Sequence, residues 1–476
     1  MLLCATLTEK HFICSHFTKL HSMNLGELII EFSNIIWGTP LLIVLIGGGL
    51  YFLIYSKLQP IRYFGHAFGV LTGKYDEKGE KGDINHFEAL STAVAGTVGM
   101  GNIAGVAIAI TTGGPGAIFW MWVSAFVGVV TNFYTISLAV MFRGKDDKGE
   151  LQGGPMYVIS EGLGKKWRWM GVLFSIFAMI GLTPMFNVNQ LTQVINTSIL
   201  ESFGIAENVY INLTIGIILA ILVLMIALGG IKRIAKAASM MVPIMVAFYF
   251  LAVIYILITN YTSIIPIFEL IFHDAFAADS VLGGAVGTII ILGVRRGAFS
   301  NEAGIGTAAM AHGAAKTNEP IREGLVSMLI PVFDTMIVCT LTALAILVAG
   351  IWVDPEATGV HLTMLSFETM IPGYGTYILA SAIFVFSFTT LFSFPYYGKK
   401  SFEYVFGSKY SWIYTVFYVL SIPVAAVVSL DVVLGLIDSA YALMAFPTMI
   451  SAIILAPKVN KAAKKYFAQI KKNDFS

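Results

Sequence analysis

The sequence predicts an all-α polytopic membrane protein, and three observations predict it. Hydrophobic residues fill 57% of 476 positions and charged residues only 12%, about half the charge with which a soluble domain coats its surface. The mean hydropathy of +0.80 agrees. Apolar windows long enough to cross a bilayer as helices, about 20 residues each, recur along the whole chain. The basic residues, finally, fall almost entirely in alternate connections between those windows.

Taken in order, the windows are 34–56, 87–112, 115–142, 169–198, 209–229, 237–259, 275–294, 324–351, 372–397, 410–429 and 432–456, which makes eleven spans. Of 29 Lys and Arg, all but Lys10 and Lys19 lie in 57–81, 143–168, 232–236, 295–322, 399–409 and the tail from Lys458. The connections 113–114, 199–208, 260–274, 352–371 and 430–431 carry none. Cytoplasmic loops of membrane proteins are enriched in Lys and Arg, so the chain is expected to have its amino terminus outside and its carboxyl terminus in the cytoplasm of a plasma-membrane protein. Residues 1–33 are then an extracellular segment, 57–86 a cytoplasmic loop and 457–476 a cytoplasmic tail. Residues 1–22 hold two of the three cysteines and lack the layout of a signal peptide. Met23 would open a cleaner chain, as after an upstream start read in error. Cys339 lies within a span, so no disulfide framework is expected.

Two spans are interrupted by glycine. Span 2 reads Ala95-Gly96-Thr97-Val98-Gly99-Met100-Gly101-Asn102, and span 7 contains Gly283-Gly284-Ala285-Val286-Gly287. Glycine at this density lets a helix unwind, and unwound backbone at membrane depth survives only where protein buries it or a cavity opens beside it. Transporters place such breaks at matching positions of two halves to bind substrate and ion at the midplane. The interrupted spans are five apart, an odd number. Residues 87–259 and 275–456 are therefore expected to form two five-helix repeats of opposite topology, with 34–56 as an additional helix. Single glycine pairs are explained as well by close helix packing; two clusters at equivalent positions favour the repeat.

Further along, longer motifs appear. They are Gly113-Gly114-Pro115-Gly116-Ala117-Ile118-Phe119-Trp120-Met121-Trp122-Val123-Ser124-Ala125-Phe126-Val127-Gly128, Gly82 to Leu90, Val98 to Gly105, Arg296 to Gly304, Tyr396-Tyr397-Gly398 and Glu403 to Gly407. On these runs the chain resembles the alanine or glycine:cation symporter family from about residue 24 to 456. The resemblance implies a LeuT-type fold and sodium-coupled symport of a small neutral amino acid, alanine or glycine, into the cell by alternating access. Sodium is then the coupling ion and no other cofactor is expected. The partners are the amino acid, Na+ and the lipid bilayer, with no nucleic acid and no obligate protein partner. Coupling to protons, or a different small neutral amino acid, is the alternative. No zinc spacing, P-loop or nucleophile-and-base set suggests an enzyme.

A zwitterion needs a site for its carboxylate and one for its ammonium. Free amides of Met100, Gly101 and Asn102 at a half-helix amino terminus suit the carboxylate, and the Gly283, Gly284, Gly287 stretch is assigned the ammonium. Asn187 and Gln190 share one face of span 4 and are placed at the pocket; the resemblance aligns Gln190 with a family glutamine. Met100 and Phe394 stand where the family usually has a small hydroxyl residue and a tryptophan, and both are expected to border the pocket. The resemblance also carries a sodium site onto Thr389 and Thr390 with the carbonyls of Ala95 and Val98, although a threonine hydroxyl bonds as readily to its own helix. Asp334 and Asp438 are carboxylates within spans, functional candidates by default. Arg295, Arg296, Glu302 and Asp334 are the candidates for gating. An intracellular gate and simple topology anchoring explain the arginines equally well. His312, Lys316 and Arg322 read as a solvated loop or a surface helix.

Overall fold

The computed structural model describes residues 24–227, 230–276, 285–354 and 357–473. The predicted amino-terminal segment 1–22 and Gly283 and Gly284 lie outside the described residues. The described chain is helical apart from connections and one hairpin of two-residue strands, Gly144–Lys145 and Leu151–Gln152.

Asn24 opens α1 (Leu25–Ile36) with a capping box, its side chain accepting from the Glu27 amide while Glu27 reaches back, which satisfies two amides that a helix start leaves free. A 44° bend leads into α2 (Thr39–Tyr55). Asn85 and Glu88 repeat the capping box at the start of α3 (His86–Thr97), which a 53° break separates from α4 (Gly101–Gly113). There follow α5 (Gly116–Met141), α6 (Arg168–Gly181), α7 (Met185–Ile195), α8 (Val209–Ala227), α9 (Gly230–Thr259) and the short α10 (Ile264–Ala275). The second half comprises α11 (Ala285–Asn301), α12 (Ala308–His312), α13 (Pro320–Ala349), α14 (Gly359–Met370), α15 (Gly375–Phe406), α16 (Ser411–Ala425) and α17 (Leu430–Asn473).

Among the described residues, six helices are long and apolar enough to cross a membrane, or eight if each bent pair counts as one span. These are the features of a polytopic α-helical membrane protein. Large apolar side chains such as Ile221, Leu251, Ile258, Trp412 and Leu420 are exposed, as expected of surface that faces lipid rather than water.

Two expectations change. The described end of the window 275–294 is helix α11, which starts at Ala285 and runs on to Asn301, so Arg295 and Arg296 lie inside α11 and not in a connection. The hydropathy window stopped at two charges whose partner, Asp438, is 143 and 142 residues away. His312 and Arg322, read as part of a solvated loop or surface helix, are buried, while Lys316 of the same reading is exposed.

Helix α11 lies directly against α5. A Cβ on Gly293 would come within 2.5 Å of the Ala117 carbonyl and of Trp120 Cβ. Packing at this distance requires a residue without a side chain, the small-residue contact by which membrane helices associate.

Candidate functional site

Helix α3 ends where Val98 turns to an extended conformation, φ −75° and ψ 96°. Gly99 follows, and its amide donates to Asn102 Oδ1 at 2.9 Å. A Cβ there would lie 2.7 Å from Thr390 Oγ1, so α15 can approach the break only because residue 99 is glycine. The amides of Met100 and Gly101 begin the next half-helix, where a helix has no internal acceptors for its first donors.

The second interruption is not at Gly287. It follows α11, over residues 302–307: Glu302 has φ 53°, Gly304 φ 83° and Gly306 φ 106°, and the chain becomes helical again at Ala308. A non-glycine residue in the left-handed region costs about 1–3 kcal/mol and clusters at functional sites. Phe299 and Ser300, at the end of α11, are what a Cβ on Gly101 would touch, at 3.4 and 3.5 Å. The two breaks therefore meet.

Asp334 on α13 ties them together. Its Oδ1 accepts from Asn102 Nδ2 at 2.8 Å and its Oδ2 from Ser300 Oγ and Thr335 Oγ1, each at 2.7 Å. Asn301 in turn donates to Thr335 and accepts from the Ala303 amide, both at 3.0 Å. Asn102 and Asp334 thus support the breaks from behind.

A cavity opens between the breaks. Its lining includes Gly99, Met100, Gly101, Asn187, Glu302 and Thr390, closed by Phe186, Phe299, Phe394 and Tyr441. Its free volume is small, about 20 Å³, so the cavity is narrow. Met100, Gly101, Asn187, Phe394 and Thr390 of the sequence-based set line it; Asn102, Gln190 and Gly287 do not. Gln190 is instead committed elsewhere, its Oε1 accepting from the Val360 amide at 3.1 Å beside the start of α14. Asn189 donates to the Val428 carbonyl at 2.7 Å. Thr183, Phe186, Phe299 and Tyr441 were not foreseen, because single aromatic and hydroxyl residues in apolar helices carry no pattern.

Thr390 Oγ1 lies 3.1 Å from the Ala95 carbonyl and 3.2 Å from that of Phe386. A hydroxyl of α15 and a carbonyl of the last turn of α3 therefore share one small region, next to the break residue Val98. Thr389 donates to the Phe386 carbonyl at 2.8 Å, the local bond that competes with any ligand role.

Charged groups close the two ends of this core. On one side Asp438 Oδ2 accepts from Arg295 Nε at 2.8 Å and from Arg296. Arg295 also donates to Asn34 and Ser33 of α1. The Arg296 guanidinium lies 5.2 Å from the Phe299 ring, so only that ring separates it from the cavity. On the other side the buried Glu323 bridges His86 and His312, the latter at 2.5 Å. That contact joins the starts of α3 and α13 to the end of α12.

The model of the family described as "Sodium:alanine symporter family" matches residues 22–475. The sodium/alanine symporter AgcS of Methanococcus maripaludis is 38% identical over 460 residues, covering 95% of this chain and 99% of that protein. The amino-acid carrier protein AlsT of Bacillus subtilis is 34% identical, with 92% of this chain and 91% of that protein covered. GlnT of the same organism, named a probable sodium/glutamine symporter, is also 34% identical, over 94% and 91%.

Proposed function

The chain belongs to the sodium:alanine symporter family, and on that premise we propose that it imports a small neutral amino acid, alanine or glycine, together with sodium. Family membership and the apolar helices support the coarser statement, a multi-pass membrane protein for cation-coupled amino acid symport. One observation carries the finer reading: a narrow cavity lies where two interrupted helices meet, lined by Met100 and Gly101 at the start of one half-helix and by Thr390. A half-helix amino terminus attracts a carboxylate. The Thr390 hydroxyl and the Ala95 carbonyl offer neutral oxygens to a hard monovalent cation, with Thr389 and Val98 as their proposed companions. Asn187 and Phe394 shape the pocket, and its small volume favours a small side chain.

In the same reading the fold is LeuT-type. Counting each interrupted or kinked helix once, α1–α2, α3–α4, α5, α6–α7, α8, α9, α11–α12, α13, α15, α16 and α17 give eleven spans. The breaks after Thr97 and Asn301 then occupy equivalent places in two inverted repeats. With the amino terminus outside, Arg295, Arg296 and Asp438 lie toward the extracellular face, so we assign them to an outer gate in place of the intracellular one that the sequence suggests.

Similarity to GlnT, named a probable sodium/glutamine symporter, makes the substrate the first thing to test. The measurement is competition by the twenty amino acids against labelled L-alanine uptake in reconstituted vesicles. Alanine, glycine and serine are expected to compete and glutamine to fail. Inhibition by glutamine but not alanine would replace the substrate assignment.

A further inference from the structure

Among the described residues four buried carboxylates surround the core, and each is balanced differently. Glu323 has the imidazoles of His86 and His312. Asp438 has two guanidinium groups. Asp334 has three neutral side-chain donors, from Asn102, Ser300 and Thr335, and does not line the cavity. Glu302 does line it, is 3% exposed, and has one hydroxyl on each oxygen: Tyr441 at 2.9 Å on Oε1 and Thr307 on Oε2. Among the described residues it has no ion-pair partner. A carboxylate oxygen can accept two bonds, so each keeps acceptor capacity. An ionised side chain at membrane depth needs compensation.

The surroundings add to the same sign. Helix α3 ends at Thr97 and α11 at Asn301, and a helix carries partial negative charge at its carboxyl end. Two such ends and a carboxylate therefore converge on one cavity whose opposite wall is the amino end of α4. Glu302 is also held toward the cavity by a left-handed backbone conformation, φ 53°.

We propose that Glu302 is the counter-ion for the ammonium group of the transported amino acid, the carboxylate of the same molecule being taken by the amides at Met100 and Gly101. This rests on the amino acid symport reading and moves ammonium recognition from the Gly283–Gly287 stretch to the second break. One carboxylate then distinguishes an amino acid from a hydroxy acid of the same shape. A sodium ion is the other cation that could satisfy Glu302, and a purely structural bond to Tyr441 is the remaining role.

The test uses purified full-length protein in lipid nanodiscs. Three quantities are measured: L-alanine binding at saturating sodium, competition by L-lactate, which carries a hydroxyl in place of the ammonium, and binding of radioactive sodium without amino acid. Wild-type protein is expected to prefer alanine to lactate by about a hundredfold or more, because a site built for a polar group rejects the analogue that lacks it. If wild-type protein binds no amino acid, the symport reading fails before Glu302 is in question.

Glu302→Gln should weaken alanine by about a hundredfold while lactate and sodium stay within about threefold. Tyr441→Phe should keep the alanine-to-lactate ratio. Unchanged alanine binding in Glu302→Gln would overturn the proposal. So would an equal loss of alanine and lactate, which marks a structural role, or the loss of sodium binding, which would make Glu302 an ion ligand. Should Glu302→Gln fail to fold, Glu302→Asp keeps the charge. Its alanine-to-lactate ratio is expected to remain above about tenfold, and a collapsed ratio there would overturn the assignment.

Discussion

Gly99 and Asp334 show how much a single position carries. A methyl group on Gly99 would meet Thr390 Oγ1 at 2.7 Å and must push that hydroxyl away from the Ala95 carbonyl. Gly99→Ala is therefore expected to raise the sodium concentration for half-maximal uptake by about tenfold, the equivalent of about 1.4 kcal/mol, with less effect on protein yield. Asp334→Asn replaces an acceptor by an amide that must point a donor at Asn102, Ser300 or Thr335. Leaving a buried donor unsatisfied costs about 1–3 kcal/mol. Asp334→Asn should thus lower the unfolding temperature and the transport rate while uptake still requires sodium. A thermal melt in detergent alongside uptake checks both halves of that expectation. The sequence singled out both positions. The role of Asp334 was not legible, because two of its three side-chain partners, Ser300 and Asn102, lie 34 and 232 residues away on other elements.

Among the elements, the helices of the first half were legible and the second break was not. Glycine spacing identified the interruption at Val98–Gly99, where the backbone does leave the helix. The same signal pointed to Gly283–Gly287. Of that stretch Gly283 and Gly284 lie outside the described residues and Gly287 is helical; among the described residues an interruption falls at Glu302–Thr307, in a run of the sequence, Asn301-Glu302-Ala303-Gly304-Ile305-Gly306, that hydropathy had assigned to a connection. Arg295 and Arg296 ended the apolar window, and no window sees that Asp438 neutralises them from α17. The α5–α11 contact offers a test at this scale. Gly293→Val would drive a side chain into the Ala117 carbonyl and Trp120 Cβ, both 2.5 Å from its Cβ. Overpacking costs about 1–3 kcal/mol, so loss of folded protein in size-exclusion chromatography is expected, and milder loss for Gly287→Val, where a Cβ meets nothing within 4 Å.

For the molecule as a whole, the alternation of basic connections predicts an amino terminus outside and a carboxyl terminus in the cytoplasm, because cytoplasmic loops are enriched in lysine and arginine. Ile265 is exposed in the first turn of α10 and Tyr410 is exposed between α15 and α16. In sealed cells, Ile265→Cys should react with an impermeant thiol reagent and Tyr410→Cys should not; the reverse pattern would invert the topology. The central claim is that sodium, held by neutral oxygens near Thr390 and Ala95, drives amino acid uptake. Its most direct test is labelled L-alanine uptake into proteoliposomes under an inward sodium gradient at equal pH, compared with an inward proton gradient without sodium, for wild-type protein and Thr390→Ala. The sodium gradient alone should drive accumulation in wild-type protein, and Thr390→Ala should need about tenfold more sodium, as loss of about 1.4 kcal/mol of ion binding implies. Accumulation that follows the proton gradient without sodium, and that persists unchanged in Thr390→Ala, would contradict it.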